Sequence, residues 1–328
     1  MRPMPRFALG LAALLLLALA RPAPANDSMA AIGIGGLALV RSEAVRLDRQ
    51  ELFISRERVR VEYLFTNTTD RDIETLVAFP LPDFTHSPVE RVPDYRRELD
   101  FRTVVEGRPV TYELVQRAHF KGQDITERLR ALGLPLVGGE EFERRVNDLP
   151  EPQRAALLRE ELVIGALEQG RTNIDEPLWT VSTSVTRRQV FPAGRSLAVQ
   201  HSYVPFAGGS VGGRLGPARR ASPEFQALRA RYCMEDGFLA AFDRRTRPAA
   251  RGADYGEIWL QYRLTPGANW AGPIRDFRLV VDKGDPAAIV SFCGEGVRRL
   301  DARRFEMRRT DFTPTRDLDI LIVEFVRP

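Results

Sequence analysis

Apolar and polar residues alternate along the first part of the chain, from residue 37 to residue 114. In the segment VRVEYLF, which starts at Val59, apolar residues fall on every second position and charged residues fall between them. A period of two places the apolar side chains on one face of a β-strand. The polar stretch NTTDRD follows, and a second apolar run covers residues 73–79. The pattern predicts a β-hairpin that turns at NTTDRD.

The same alternation predicts further hairpins and strands. One hairpin turns at residues 106–109, and another turns at residues 191–194 between strands at 179–185 and 197–203. Four more strands are predicted near the end of the chain, at residues 258–264, 277–281, 289–293 and 318–326. Residues 207–216, AGGSVGGRLG, are so rich in glycine that we expect a mobile loop.

Two parts of the chain have helical patterns instead. Within residues 118–171, a proline at a first helical position, apolar residues spaced by four at Leu158, Leu162 and Ala166, and a stop at Gly170 predict a helical insert. A further helix near residues 222–245 begins with Ser222 as its N-cap and includes Cys233.

The order of these elements predicts the fold class. Strands do not alternate with helices along the chain, so a parallel sheet is disfavoured. We expect a mainly β protein with two β-sandwich-like halves of antiparallel strands, one helical insert and one further helix. The predicted boundaries are 26–117 for the first half, 118–171 for the insert and 172–328 for the second half.

The first 25 residues have the pattern of a secretory signal. Arginines precede an apolar run at residues 7–20, and Ala23-Pro24-Ala25 provides a cleavage site after Ala25. The run is shorter than the roughly 20 residues that span a bilayer, although a retained membrane anchor is the alternative. We expect a periplasmic or secreted protein with no membrane span after signal removal.

Most of the net charge of +4 comes from residues 1–25. Three of the 48 basic residues and none of the 44 acidic ones lie in it, so the rest of the chain is close to neutral. Arginines and acids are interspersed there, which disfavours a nucleic-acid partner. Cys233 and Cys293 are the only cysteines, and in an oxidising compartment a disulfide between them is favoured over a metal site.

Few residues suggest chemistry. Gly33-Ile34-Gly35-Gly36-Leu37-Ala38 satisfies the dinucleotide-binding pattern G-x-G-x-x-A, but only seven residues of the expected mature chain precede it and a strand rather than a helix is predicted after it, so we expect a flexible N-terminal arm. His86 is expected to be exposed, and His201 to be a hydrogen-bonded core residue rather than a catalytic base. The remaining candidates are a ligand contact at Asn269 and Trp270, and weak metal ligands at Asp311, Asp317 and Asp319.

Five strings together resemble a known family. They are NDSMAAIGIGGLALVRSEAVRLDRQELFIS, VRVEYLFTNTTDRDIETLVAFPLPD, VFPAGRSLAVQHSYVP, LTPGANWAGPIRDFRLVVDKGDP and VSFCGEGV. In this order they resemble the bacterial secreted family known as domain of unknown function 4424. Residues 59–82 alone are also similar to the opening hairpin of the vault and inter-alpha-trypsin (VIT) domain. The family resemblance implies an exported, mainly β protein, and it supplies no catalytic residues.

The sequence as a whole favours a noncatalytic binding or structural module of the cell envelope, with an envelope protein or a glycan as its partner and no cofactor. A metal-assisted hydrolase that uses His201 or the three aspartates is the alternative. A third reading is an assembly component that works through exposed sheet edges or through residues 207–216.

Overall fold

The computed structural model describes residues 27–33, 36–86, 93–95, 97–246 and 255–326. The predicted signal segment, residues 1–25, lies outside the described residues.

The strands and helices follow one another along the chain with these bounds. The strands are β1 (Ser28–Gly33), β2 (Gly36–Val40), β3 (Val45–Ile54), β4 (Val59–Asn67), β5 (Ile73–Pro80), β6 (Phe84–Thr85), β7 (Arg102–Val105), β8 (Arg108–Val110), β9 (Glu113–Phe120), β10 (Gln123–Asp124), β11 (Val163–Glu168), β12 (Arg171–Pro177), β13 (Thr180–Phe191), β14 (Ser196–Tyr203), β15 (Gly208–Ser210), β16 (Tyr255–Tyr262), β17 (Ile274–Asp282), β18 (Ile289–Phe292), β19 (Arg298–Arg299), β20 (Arg304–Phe312) and β21 (Leu318–Phe325). The helices are α1 (Thr126–Ala131), α2 (Glu140–Asn147), α3 (Glu151–Arg159), α4 (Pro223–Tyr232) and α5 (Asp236–Thr246).

The strands form several sheets, and the predicted mainly β fold class is confirmed. One sheet has eight strands in the order β19-β20-β17-β3-β4-β14-β7-β8, and a second has seven, with β10-β9-β13-β5-β1-β2 in line and β6 beside β13. A third sheet has the order β15-β16-β21-β18, and β11 and β12 form a two-stranded ribbon. Pairing is antiparallel except between β17 and β3, among the described residues.

Two of the predicted hairpins are wrong. β4 and β5 belong to different sheets, as do β13 and β14, so each connection crosses from one sheet to the other. These two connections are hydrogen-bonded to each other. The side-chain amide of Asn67 donates to the carbonyl oxygen of Arg71 in its own connection (2.7 Å) and to that of Phe191 at the start of the other (2.9 Å). Alternation identifies the buried face of a strand but not its partner. The hairpin predicted at residues 106–109 is confirmed as β7 and β8.

The main core lies between the eight-stranded and seven-stranded sheets. Large side chains with no more than 1% of their surface exposed fill it, among them Phe65, Phe79, Phe191, Tyr262 and Trp270. They come from both of these sheets, from β16 of the four-stranded sheet and from the turn after β16, so burial of apolar area stabilises the layers against one another.

The helical insert contains three short helices and then returns to strand. α3 ends at Arg159, and Ala166, which was expected in a helix, lies in β11. The insert has its own core around Trp179, whose indole nitrogen donates to the Leu136 carbonyl oxygen at 2.7 Å. Spacing by four therefore predicted the helical character of this region but not where it ends.

The second helical region begins as predicted. The Ser222 hydroxyl accepts a hydrogen bond from the Phe225 amide at 3.1 Å, and Pro223 occupies the first turn. The single helix expected near residues 222–245 is two helices, because Cys233 adopts a left-handed conformation (φ 50°) that ends α4 before α5 starts.

Two segments expected to be loose contain paired strands among their described residues. The N-terminal arm forms the hairpin β1–β2, and β1 pairs with β5. In the stretch 207–216, β15 pairs with β16, and the Tyr255 hydroxyl accepts hydrogen bonds from the amides of Gly213 and Leu215. Glycine content alone therefore did not predict the strand pairing in these two stretches.

Candidate functional site

A cavity of about 860 Å³ lies between the edge of the seven-stranded sheet and the edge of the four-stranded sheet. We call this cavity the groove. It is lined by residues from distant parts of the chain: Arg56, Leu81–Thr85, Pro93, Tyr95, Glu98, Leu99, Tyr203–Gly209, Arg214, Arg231, Tyr232, Trp259 and Gln261. Its volume lies in the range of small-ligand pockets, which makes it the candidate binding site.

Aromatic side chains form the floor of the groove. Tyr95 and Phe206 pack edge to face with their ring centroids 4.9 Å apart. Burial raises the pKa of Tyr95 to about 12, so its hydroxyl stays protonated at neutral pH. The guanidinium of Arg214 covers the ring of Trp259 at 4.2 Å from the centroid.

Three arginines at the rim are each held by a carboxylate that does not line the groove. Arg214 bonds to buried Glu257 at 2.7 Å, Arg231 bonds to Asp319 at 2.8 Å, and Arg56 lies 3.5 Å from Glu324. Their side chains remain 37%, 43% and 56% exposed, respectively. Hydrogen bonds to these carboxylates orient Arg214 and Arg231, and all three arginine side chains remain partly accessible to a ligand.

Asp83 lies on the opposite wall. Desolvation by the surrounding walls raises the pKa of Asp83, although its ion pair with Arg263 at 2.5 Å acts in the other direction. A carboxyl group with a raised pKa in a cavity is typical of binding and catalytic sites, and also of structural ion pairs.

His201 belongs to a second polar cluster, which lies deep in the main core. The buried carboxylate of Asp27 accepts hydrogen bonds from His201 Nε2 at 3.0 Å and from Arg187 Nη2 at 3.2 Å. Burial alone would raise the pKa of Asp27, but the charge of Arg187 and the bond from His201 outweigh it and lower the pKa. His201 Nδ1 lies 3.0 Å from the Thr103 hydroxyl, so a neutral imidazole satisfies both neighbours.

This cluster has the connectivity of an acid, a histidine and a hydroxyl, but no substrate can reach it in this conformation. Asp27, Thr103 and His201 are at most 3% exposed. The arrangement holds the start of β1 inside the sandwich. His201 therefore lies in the core with hydrogen-bonded partners, and a hydrolase that used it would have to open that core.

Asn269 and Trp270 contact the same N-terminal segment. Trp270 has no exposed surface, and its indole nitrogen donates to the Asp27 carbonyl oxygen at 2.6 Å. The Asn269 amide donates to the Ser28 hydroxyl at 3.1 Å. Both side chains therefore hydrogen-bond the chain around residue 27. Because Trp270 is fully buried, a ligand could contact it only after the core had opened.

The three candidate aspartates serve separate roles. Asp317 accepts hydrogen bonds from the amides of Leu264 and Thr265, Asp319 pairs with Arg231, and Asp311 is exposed at the end of β20. Within the part of the chain that the structure describes, no group of three or more His, Cys, Asp or Glu side chains could hold a metal ion.

His86 is buried, so the expectation of an exposed histidine is wrong. It lies at the junction of the insert and the seven-stranded sheet and is 5% exposed. Nδ1 lies 2.9 Å from the Trp179 carbonyl oxygen, and Nε2 accepts a hydrogen bond from the Gly138 amide at 2.7 Å. Burial lowers the pKa of His86, and the neutral ring satisfies both partners.

His86 and His201 predict a pH-dependent stability. Burial lowers the pKa of both histidines in the folded protein, although Asp27 opposes this at His201. The unfolded chain, with a histidine pKa near 6.5, then binds more protons as the pH falls, so folding stability is lost below about pH 6.5. The slope is at most about 1.4 kcal/mol per pH unit for each histidine.

Urea unfolding measured at about pH 7.5 and about pH 5.5 checks this expectation. The midpoint should fall at the lower pH, and His86→Gln should show a shallower dependence than the unmodified chain. Equal midpoints at the two pH values would contradict the assignment of two neutral, buried histidines.

The predicted disulfide is confirmed. It joins Cys233, at the end of α4, to Cys293, which follows β18. The two residues before Cys233 line the groove, so the disulfide also anchors part of that wall.

The residue pattern does not predict the groove as a cavity, although residues 207–216, proposed above as an interaction segment, contribute Ala207, Gly208, Gly209 and Arg214 to it. Its lining comes from short segments such as PLPDFT after β5 and YVPFAGG after β14, which carry no motif. One feature of the sequence could have indicated the groove: both segments combine proline with aromatic residues beside predicted strands.

No helix among the described residues is long and apolar enough to cross a membrane. No curated protein matches the chain. Among the solved structures that resemble it distantly are a "putative nutrient binding protein" from Legionella pneumophila, at 13% identity over 90% of this chain and 72% of that one with a TM-score of 0.40, and an M1 zinc metallopeptidase from Deinococcus radiodurans, at 9% identity over 87% and 43% with a TM-score of 0.26.

A family model matches almost the whole described chain. It covers residues 25–321 and is named Domain of unknown function (DUF4424). The local resemblance of residues 59–82 to the VIT domain stays a prediction. The chain belongs to the DUF4424 family.

Proposed function

We propose that this protein is an exported, noncatalytic binding module of the bacterial cell envelope, and that the groove is its binding site. The groove itself supports the proposal most strongly, because it combines an aromatic floor with partly exposed arginines held by buried or half-buried carboxylates. Fixed polar groups over an apolar floor are the usual composition of binding pockets. The signal-like segment at residues 1–25 supports export.

Photo-crosslinking in living cells tests the proposal. A photoreactive phenylalanine analogue placed at Phe206, which lines the groove, should give a discrete adduct with an envelope protein or glycan. The same analogue at Leu167, which is 68% exposed on β11 outside the groove, is the matched control. Equal labelling at the two positions, or no adduct at Phe206, would count against the groove.

The protein purified from the same cells also tests whether the chain is exported. Amino-terminal sequencing should return Asn26-Asp27-Ser28, as expected for cleavage after Ala25. An intact Met1 on protein recovered from the cytoplasm would refute the exported location and would leave the groove as the binding site of an internal protein.

A further inference from the structure

Two strand edges face the groove with pairing on one side only. β15 is the end strand of the four-stranded sheet and pairs with β16. β6 lies beside β13 and pairs with no second strand among the described residues. Residues of both strands line the groove. An unpaired strand edge presents amide and carbonyl groups that can pair with another chain.

Two of the three residues of β15 are glycines, so side chains cover little of its backbone. Gly208 and Gly209 are exposed and have no side chain to shield their backbone. Their inner side is crowded, because a Cβ atom would lie 3.0 Å from the Trp259 ring at position 208 and 2.8 Å from the Glu257 carbonyl oxygen at position 209. Glycine thus lets β15 lie close to β16, and among the described residues β15 pairs with no second strand.

We propose that the groove binds an extended peptide segment of another protein, which adds as a strand to the free edge of β15. This inference rests on the proposed function, since it names the class of ligand that the same groove takes. Strand addition obtains affinity from backbone hydrogen bonds and specificity from alternate side chains.

The lining also indicates which side chains such a peptide carries. Every second side chain of an extended strand points to the same face, and one set would meet Phe206 and the part of the Trp259 side chain that Arg214 leaves uncovered. The three arginines that line the groove keep 37% or more of their side chains exposed beside the carboxylates that pair with them. Their exposed parts favour a peptide in which acidic residues alternate with apolar ones.

A glycan fits the aromatic floor less well. Sugar rings need an open aromatic face, and the Arg214 guanidinium already covers a face of Trp259 at 4.2 Å. Tyr95 and Tyr203 are only 7% and 2% exposed, so neither offers a platform. The exposed backbone at Gly208 and Gly209 is the feature that a peptide uses and a glycan does not.

Backbone methylation of a peptide probe gives the decisive test. Peptides of about eight residues are selected from a random phage-displayed library against the full chain, and the strongest binder is synthesised with N-methyl groups on either alternate set of its amides. A strand that pairs along one edge donates from one set only. Methylation of that set should weaken binding by about tenfold or more, and methylation of the other set should change it less than about threefold.

Variants of the protein locate the probe. Phe206→Ala should weaken peptide binding by about tenfold, and Arg56→Gln should weaken binding of acidic peptides and reduce its salt dependence. Leu167→Ala, outside the groove, should have no effect. Arg56 is 56% exposed, so its variant should fold even if the groove is sensitive to other changes.

The outcomes separate the peptide inference from the proposed function. Failure to select any peptide, or equal effects of the two methylated sets, would overturn strand addition. If envelope glycan fragments bound instead and Phe206→Ala abolished their binding, the groove would remain the binding site and only the peptide inference would fall. If neither probe bound in a Phe206-dependent way, both would fall.

Discussion

Replacing Asp27 with alanine should lower the free energy of unfolding by about 3–5 kcal/mol, because it leaves the charge of Arg187 buried without its partner. Asp27 has no exposed surface, and the Arg187 side chain is 4% exposed. The same substitution removes the acceptor of His201 Nε2. Urea unfolding of the disulfide-intact protein measures the effect.

Two variants control this experiment. Glu43→Ala removes the partner of Arg41 in an ion pair whose side chains are 64% and 79% exposed, and it should change stability by less than about 1 kcal/mol. The double replacement Asp27→Ala with Arg187→Met should recover part of the loss, since the unpaired charge is gone. A stability change at Asp27→Ala as small as that at Glu43→Ala would refute the structural role of the buried cluster.

Replacing Cys233 and Cys293 together with serine should destabilise the protein by about 4 kcal/mol. The disulfide links residues 60 positions apart, and on the chain-entropy model a closed loop of that length restricts the unfolded chain by about this amount. Thermal or urea unfolding with and without a reducing agent measures it.

The double serine variant also controls for effects of the reductant. Its unfolding midpoint should not change when the reductant is added, whereas the midpoint of the unmodified protein should fall toward that of the variant. Peptide or partner binding should weaken as well, because the disulfide anchors the end of α4, where Arg231 and Tyr232 line the groove. Equal midpoints for the two proteins in the absence of reductant would mean that the disulfide adds no stability.

Much of the strand content could be predicted from alternation, but the pairing could not. The segments that became β4 and β5 were recognised as strands, and their separation into two sheets depends on long-range contacts such as the Asn67 amide bonded to Phe191. The same holds for β13 and β14. A local pattern determines which face is buried, while the partner strand depends on which distant segment covers that face.

The candidate site was less predictable than the fold. Trp270 in GANWAGP had the surroundings of an exposed aromatic residue, yet the N-terminal segment covers it, and the Asp27 carbonyl oxygen accepts its indole hydrogen bond. His86 became buried because the insert packs over it at Gly138. Both depend on contacts between segments far apart in the chain, which composition and spacing do not report.

The buried cluster and the groove have different consequences. Asp27, Arg187 and His201 tie the start of β1 to the core and make stability sensitive to pH. The groove lies between the edges of the seven-stranded and four-stranded sheets, where the three arginines and the backbone of Gly208 and Gly209 are exposed. Stability and binding should therefore respond to different substitutions, with Asp27→Ala affecting the first and Phe206→Ala the second.

Hydrogen–deuterium exchange tests the groove most directly. The full chain is exchanged with and without a saturating concentration of the selected peptide or of the partner captured at Phe206. We expect slower exchange at the amides of β15 and β6 and little change in the ribbon formed by β11 and β12. Protection confined to that ribbon or to the insert, with β15 and β6 unchanged, would contradict the account.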